Sequence, residues 1–334
     1  MAGIVDFDIR FPSATADLRA MHRSSGVAVA ELARITHCDG FPVLAEDEQA
    51  WELTLAAART VLSRTGVDPS RIRQVVYAGS GEWDRPFWSP AAKVADGLGI
   101  SGAHCFEVAN FCNAGMTALR LLSAAGALED DAYALVLVGD RLSRMVDYSD
   151  PDSKALFNFG DAAAAVLLAG REGRFRILHS AMRTDPGWSD YYTGEYDRGE
   201  HDADEPGAGE RPAGRVRIRR AAHRKGLADA YVRHFTSLVG ETLENLGRER
   251  DDIDHFLINH GDRDMHLRLL RTLGIPADRS VFNYDRLAHM GGADTLIALR
   301  DLERAGRLRR GDLIMLATSA MGFSWGITTL EYLG

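Results

Sequence analysis

A cysteine at a predicted strand-to-helix boundary is the residue in this chain best suited to covalent chemistry. Cys112 lies in the run 108–116, where a β-rich stretch meets a helical stretch that begins at Asn113. Unpaired backbone N–H groups and the helix dipole at a helix N-terminus favour a thiolate over a thiol. Because the thiolate is the nucleophilic form of cysteine, this position suits acyl transfer through a covalent intermediate. The alternative is a buried cysteine that only packs as a small hydrophobe.

Two histidines in the C-terminal half stand at the ends of predicted elements. His260 follows the run 256–259, and His289 lies in a loop that enters a helix, with Asp294 five residues further on. A histidine near a carboxylate can act as a general base toward a hydroxyl or an amine. A single histidine is more often a surface residue or a satisfied core residue, so these two gain weight only together with Cys112.

The elements that must position these residues alternate between strand and helix. Helical spacing predicts helices at 48–65, 90–98, 113–125, 227–246, 265–273 and 295–305. Apolar and β-branched runs predict strands at 75–79, 103–108, 132–140, 162–168, 256–260, 313–317 and 327–332. This alternation in both halves predicts an α/β fold in which helices cover the sheets.

Composition limits the classes of function. The chain has 334 residues, 46% of them hydrophobic, which is enough for one large domain or two of ordinary size. A net charge of −9 argues against a general nucleic-acid binder. No signal peptide is recognisable, and no apolar run approaches the ~20 residues that cross a bilayer, so we predict a cytoplasmic protein without membrane association. Three scattered cysteines fit a reducing compartment and argue against disulfides or a metal site.

A segment of opposite charges interrupts the second half. Residues 195–210 are glycine-rich and acidic, and seven basic residues follow within 211–225. One interpretation is a solvated surface loop beside a solvated strand and helix edge. The other is a docking surface for a phosphate-bearing partner, such as coenzyme A or the acidic helix of an acyl carrier protein.

Several segments, taken in order, resemble the β-ketoacyl-acyl-carrier-protein synthase III family of the thiolase superfamily. The run 108–112 resembles its nucleophile segment, the run 159–167 its Phe-Gly-Asp-Gly-Ala-Gly-Ala-Ala-Val stretch, and the run 322–326 its Gly-Phe-Thr-Trp-Gly loop. His260 falls where the family has its first catalytic histidine. His289 takes the position that the family usually gives to asparagine, and its coenzyme A-binding Trp–Arg segment is not recognisable in 29–46.

The resemblance implies a thiolase-like five-layered αβαβα fold with two pseudo-repeated halves, residues 1–170 and 171–334, and a homodimer. It also implies an acyl group held as a thioester on Cys112, with His260 and His289 facing the second substrate. The Cys112 backbone N–H and an amide near Gly322 would form the oxyanion hole. No metal or other cofactor is implied, because the substrate is itself a thioester of coenzyme A or acyl carrier protein.

Five residues are predicted to bind substrate: Phe87, Trp88, Gly291, Asp294 and Phe323. Phe87 and Trp88 would line the acyl pocket, either within one chain or across a dimer interface, although aromatic packing in the core or dimer is the alternative. Gly291 would allow a pantetheine arm to approach closely, or would only permit a helix to begin.

Two reactions stay open, and the sequence favours the first of them. The first is a decarboxylative Claisen condensation of the Cys112-bound acyl group with a malonyl-type thioester, in fatty-acid, polyketide or other natural-product biosynthesis. The second passes the acyl group to an alcohol or amine without decarboxylation, which His289 beside Asp294 and the missing coenzyme A segment support. A third role, as a non-catalytic partner subunit, is disfavoured by the presence of Cys112, His260 and His289 together.

Overall fold

The computed structural model describes residues 2–124, 128–171, 173–196, 216–220 and 226–334. Its strands are β1 (Gly3–Arg10), β2 (Ala14–Asp17), β3 (Gly40–Val43), β4 (Ile72–Gly79), β5 (His104–Ala109), β6 (Tyr133–Gly139), β7 (Ala163–Ala169), β8 (Phe175–Thr184), β9 (Tyr192–Tyr196), β10 (Val216–Arg220), β11 (Ile253–Ile258), β12 (Leu313–Ala320) and β13 (Ser324–Tyr332). Its α-helices are α1 (Leu18–Ser25), α2 (Val29–Thr36), α3 (Ala50–Thr65), α4 (Pro90–Gly97), α5 (Ala114–Ser123), α6 (Leu142–Met145), α7 (Leu227–Leu246), α8 (Arg263–Leu273) and α9 (Asp294–Arg304). Within these ranges no helix combines the length and the apolar character needed to cross a bilayer.

The main sheet consists of two groups of strands joined at a narrow seam. Its order in the described residues is β11-β12-β13-β8-β1-β7-β6-β4-β5. At the seam, β1 pairs with β8 only through Gly3 with Arg176 and Ile4 with Phe175. All strands on one side of the seam precede residue 170 and all strands on the other side follow it, although a domain division at that residue stays a prediction.

Three apolar cores separate the layers. Along β6, Val136 points into the central core and Leu135 into an outer core, as the two-residue period of a strand requires. Ile314 and Met315 of β12 divide in the same way between the central core and the second outer core. Helices α5 and α9 fill the central layer, α3 and α4 cover one outer face, and α7 and α8 cover the other. This arrangement confirms the predicted five-layered αβαβα fold.

Local signals account for where the predicted helices begin and end. Helix α4 begins at Pro90. Ser89 caps this helix, because its side chain accepts a hydrogen bond from the Ala92 N–H. Helix α3 ends at Gly66, whose φ of 65° lies in the left-handed region. The prediction of a helix over 227–246 matches α7, whereas the strand predicted over 256–260 ends at Ile258. His260 therefore lies in a loop rather than at the end of a strand.

The charged segment falls mainly outside the described residues. Its first residues end β9, which pairs antiparallel with β10, so a strand continues through Glu195 where a loop was predicted. The remaining acidic residues, and the basic residues of 211–225 other than those in β10, lie outside the described ranges.

Candidate active site

The nucleophile turn joins β5 to the central helix α5. After β5 ends at Ala109, a 3₁₀ turn spans Phe111–Asn113 and α5 begins directly after it. Phe111 has a φ of 46°, which is strained for a residue with a bulky side chain. The turn is held to the neighbouring strand by a hydrogen bond from the Asn110 N–H to the Gly79 carbonyl. Cys112 is thereby presented at the start of a helix, as the sequence predicted, and it is buried.

Cys112, His289 and Asp294 form a continuous hydrogen-bonded triad. The Cys112 Sγ lies 3.1 Å from the His289 Nε2. The His289 Nδ1 lies 2.5 Å from the Asp294 Oδ2. All three residues are buried, so their charges interact with little screening by water. A thiol, an imidazole and a carboxylate in this order can generate a thiolate and can then move protons during acyl transfer.

The charge of His289 depends on its two neighbours. Burial alone would lower the pKa of His289, but the negative charges of Cys112 and Asp294, together with the hydrogen bonds to both, raise it well above its ordinary value. The imidazolium is therefore favoured for as long as Cys112 is a thiolate. Acylation of Cys112 removes one of the two negative charges, so we expect the pKa of His289 to fall at that step.

Asp294 is bound entirely by the protein. Besides the His289 ring, its carboxylate accepts hydrogen bonds from the Met290 N–H at 2.9 Å and from the His260 N–H at 2.7 Å. Its side chain is 1% exposed. Asp294 is also the first residue of helix α9. In this geometry the Asp294 oxygen atoms orient His289, and a role of Asp294 in substrate binding stays a prediction.

His260 differs from His289 in its surroundings. Its Nε2 lies 3.2 Å from the Val281 carbonyl oxygen and 3.3 Å from the Asn283 backbone nitrogen, while its Nδ1 lies 3.9 Å from the Asp294 Oδ1. Burial lowers the pKa of His260, against the opposing charge of Asp294. The His260 ring also lies edge to face against the Tyr284 ring, with centroids 4.7 Å apart. That His260 and His289 both face the second substrate stays a prediction.

Two glycines allow the start of α9 to approach the nucleophile turn. A Cβ atom on Gly292 would lie 3.0 Å from the Val138 side chain and 3.4 Å from the Cys112 carbonyl oxygen. Gly291 has a φ of 61°, and a Cβ there would lie 2.9 Å from the Leu142 side chain. The close approach of a pantetheine arm at Gly291 stays a prediction.

A tight turn between β12 and β13 presents further amides. Gly322 and Phe323 have φ values of 72° and 53°, and the Phe323 N–H donates to the Ala320 carbonyl. This bond removes the Phe323 amide as an oxyanion donor, and Gly322 as a donor stays a prediction. The Phe323 side chain is largely buried among the aromatic side chains of Trp188, Tyr191, Tyr192 and Trp325.

Phe87 and Trp88, the two predicted aromatic lining residues, lie in different surroundings. Phe87 is fully exposed, with a φ of 50°. Trp88 packs edge to face against Trp51 of α3, with ring centroids 6.1 Å apart. This packing is the alternative given above for Trp88, and a role of Phe87 and Trp88 in lining the acyl pocket stays a prediction.

The sequence interpretation missed a set of polar residues beside the nucleophile. Asn113 is fully buried and hydrogen-bonded to Thr318 and Ser324 of the C-terminal half. An asparagine directly between the nucleophile and the start of a largely apolar helix was a usable signal. In the described part of the chain, no group of three or more His, Cys, Asp or Glu side chains is arranged to hold a metal ion.

Comparison with known proteins gives matches over most of the chain. Residues 106–186 match the family model described as 3-oxoacyl-[acyl-carrier-protein (ACP)] synthase III, and residues 243–332 match the model of its C-terminal part. The β-ketoacyl-[acyl-carrier-protein] synthase III of Sphingopyxis alaskensis is 28% identical over 287 residues, covering 85% of this chain and 84% of the relative. That of Rhodospirillum rubrum is 29% identical over 288 residues and covers 84% of each chain.

Solved structures share the fold. The 3-oxoacyl-[acyl-carrier-protein] synthase III of Aquifex aeolicus superposes with a TM-score of 0.82 at 21% identity, covering 99% of this chain and 100% of that one. A variant of OleA from Xanthomonas campestris also gives a TM-score of 0.82, at 18% identity, covering 99% of this chain and 98% of that one.

The fold and the sequence matches together define the class of protein. It is an acyltransferase with the thiolase fold. The two family models jointly match just over half of its residues, and the chain belongs to the β-ketoacyl-acyl-carrier-protein synthase III family.

Proposed function

We propose that the enzyme takes an acyl group from a thioester onto Cys112 and passes it to a hydroxyl or amine acceptor. The observation that carries this proposal is the continuous line from the Cys112 Sγ through His289 to the Asp294 carboxylate. In such an arrangement the imidazole can remove a proton from an acceptor, because the carboxylate orients the imidazole and stabilises its protonated form.

In the first half-reaction the Cys112 thiolate attacks the carbonyl carbon of the donor thioester. A new C–S bond forms to Cys112, and the bond from the carbonyl carbon to the donor sulfur breaks. The departing thiolate takes the proton from the His289 imidazolium and leaves as a thiol. This direction agrees with the charges, since acylation removes the thiolate that raised the pKa of His289.

In the second half-reaction the neutral His289 accepts the proton of an acceptor hydroxyl or amine. The acceptor oxygen or nitrogen attacks the Cys112 thioester, so an ester or amide forms and the C–S bond breaks. The thiolate and the imidazolium are restored, with Asp294 holding the ring through the Nδ1. Neither step needs a metal, a redox partner or a further cofactor.

Decarboxylative condensation with a malonyl-type thioester is the second candidate. Membership of the family and a histidine at position 260 favour it. Condensation needs hydrogen-bond donors for the thioester carbonyl that becomes an enolate. Because the His260 Nε2 contacts the Val281 carbonyl and the Asn283 N–H, His289 is left as the one imidazole of this pair in contact with Cys112. We therefore rank condensation below acyl transfer.

The proposed donor is a thioester of acyl carrier protein or coenzyme A. The relatives carry acyl carrier protein in their names, and we extend that donor to this chain together with coenzyme A. We also propose a homodimer and a place in fatty-acid, polyketide or other natural-product biosynthesis.

Intact-protein mass spectrometry tests the proposal. Wild type and Cys112→Ala are incubated with acyl thioesters on coenzyme A and on acyl carrier protein, and then with alcohols, amines or a malonyl thioester. We expect a mass gain that requires Cys112. We also expect it to be lost on addition of a hydroxyl or amine acceptor, with an ester or amide formed and no carbon dioxide released.

Two variants separate the candidate reactions. His289→Gln and His260→Gln each keep a side chain that forms hydrogen bonds, but neither can act as a base. Acyl transfer predicts that His289→Gln alone blocks discharge of the acyl-enzyme, by ~100-fold or more. Discharge only by malonyl thioester, with release of carbon dioxide and equal sensitivity to both variants, would instead establish condensation.

A further inference from the structure

A network of amides and hydroxyls lies next to Cys112 and links the two halves of the fold. The Asn113 Oδ1 accepts a hydrogen bond from the Thr318 Oγ1 at 2.5 Å, and the Asn113 Nδ2 donates to the Ser324 Oγ at 3.3 Å. The Ser324 Oγ donates in turn to the Asn110 Oδ1 at 3.2 Å. Asn113, one residue after Cys112, is thus tied to both β12 and β13, and Asn110, two residues before it, is tied to β13.

The network closes within the nucleophile turn. The Asn110 Nδ2 donates to the Thr117 Oγ1 at 2.9 Å, and the Thr117 Oγ1 donates to the Asn113 carbonyl at 2.9 Å. Each hydrogen bond in this set has a defined donor and acceptor, and no two of these assignments conflict. All of the bonds can therefore form at the same time. This closure stabilises a turn that contains the strained Phe111.

The Asn113 amide also contacts both ends of the turn between β12 and β13. Thr318 precedes that turn and Ser324 follows it, while the residues between them include the amides of Met321 and Gly322. Thr318 pairs with Gly326 in the strand register, and a Cβ atom on Gly326 would lie only 2.7 Å from the Asn113 Oδ1. The absence of a side chain at Gly326 therefore makes room for the amide.

We infer that Asn113 is a positioning residue that fixes the distance between the two parts of the oxyanion hole, the Cys112 N–H and the amides of residues 321–322. This inference deepens the proposed function and rests on it. Two donors stabilise one oxyanion only when both lie about 2.7–3.1 Å from it. The two donors belong to turns from different halves of the chain, and the Asn113 amide bonds one turn to the other.

The test removes one hydroxyl without changing the shape of the side chain. Thr318→Val leaves the Asn113 Oδ1 without its donor, and Thr318→Ser restores a hydroxyl. The matched control is Thr329→Val in β13, because Thr329 is also fully buried and its hydroxyl has no hydrogen-bond partner. p-Nitrophenyl acetate serves as the acyl donor, since the burst of p-nitrophenol measures acetylation of Cys112 without any acceptor.

We expect Thr318→Val to slow the acetylation burst by about 10–100-fold, mainly in the maximal rate rather than in half-saturation. The pH profile of Cys112 alkylation by iodoacetamide should stay unchanged, because that reaction forms no oxyanion. Thr318→Ser should recover most of the rate, and Thr329→Val should match wild type.

Three results would overturn the inference. These are an unchanged burst in Thr318→Val, a parallel loss of burst and alkylation that indicates a general disturbance of Cys112, or no burst in a wild type that is still alkylated. Failure of the proposed function looks different, since wild type would then be acetylated with the expected dependence on Thr318 but would pass the acyl group to no hydroxyl or amine.

Discussion

The protonation state of His289 links burial, charge and reactivity at the scale of single residues. Its pKa is raised because the charges of Cys112 and Asp294 outweigh the effect of burial. For a group with a raised pKa in the folded state, the stabilising interaction is fully present below the ordinary histidine pKa of ~6.5. It is lost as the pH rises through the raised value. The His289 imidazolium should therefore persist at neutral pH and lose its proton only at higher pH.

Alkylation by iodoacetamide checks this protonation state. Wild-type Cys112 should react at ~pH 6 at least ~10-fold faster than in His289→Ala, because the imidazolium stabilises the thiolate. At ~pH 9.5 the two rates should converge, since an unassisted thiol also ionises there. Cys112→Ala measures the background from the other cysteines, of which Cys105 is half-buried. Equal rates for wild type and His289→Ala across this range would contradict a thiolate–imidazolium pair.

Individual residues differ in how far the sequence revealed them. Cys112 was recognisable because it stands at a predicted strand-to-helix boundary. His289 was recognisable because it lies in a loop that enters a predicted helix. Asp294 was noticed beside His289, but its three hydrogen bonds to protein groups depend on the folded loop. The partners of Asn113 lie 205 and 211 residues away, so no local pattern could indicate them.

At the scale of elements, the triad depends on how closely two helix starts approach each other. Cys112 lies in the 3₁₀ turn that leads into α5, Asp294 begins α9, and both helices lie in the central layer. Gly292 is the point of contact, because a side chain there would press on Val138 and approach the Cys112 carbonyl. The distance from the Cys112 Sγ to His289 therefore depends on the absence of a side chain at Gly292.

Gly292→Ala should disturb this approach. We expect a loss of about 1–3 kcal/mol in the free energy of unfolding, because the added methyl group overpacks a closed interface. We also expect slower acylation of Cys112, measured by the p-nitrophenol burst. Gly240→Ala is the matched control, since no atom lies within 4 Å of a Cβ atom there. In helix α7 it should stabilise the protein by about 0.5–1 kcal/mol. A Gly292→Ala variant as active and as stable as wild type would show that the two helix starts can accommodate a methyl group at this position.

The accuracy of the element predictions followed the strength of the local pattern. Long periodic or fully apolar runs, such as those of α7 and β6, were predicted to within one or two residues. Nine elements were not predicted, namely β1, β2, α1, α2, β3, α6, β8, β9 and β10. All but β8 have four to eight residues, and segments of that length carry too little periodicity. The end of β11 was placed two residues too late, because the strand ends with its last apolar residue, Ile258, before Asn259 and His260.

For the whole molecule, the outer edge of β5 raises the question of oligomeric state. β5 is the terminal strand of the main sheet, and in the described residues its paired neighbour is β4. Phe106 and Val108 of β5 are only partly buried, and Phe87 is fully exposed. Unpaired strand edges and exposed aromatic side chains both favour association with another chain.

Light scattering during size-exclusion chromatography tests the proposed homodimer. We expect a mass twice the 36.6 kDa of one chain that is maintained on dilution through the micromolar range. Phe87→Ala should leave this mass unchanged if Phe87 reaches the partner's acyl group, but should alter which acyl chains load onto Cys112. A mass of one chain at all concentrations would exclude both the dimer and a substrate contact by Phe87.

One bond in the triad comes from the main chain at position 260. The Asp294 carboxylate accepts a hydrogen bond from the backbone N–H of that residue, not from its imidazole. Every amino acid except proline carries this N–H group. The hydrogen bond to the carboxylate is therefore compatible with nineteen different residues at position 260, whereas the condensation candidate would use the imidazole of His260. Sequence drift at position 260, with positions 112, 289 and 294 constant, would be the signature of acyl transfer across a set of related chains.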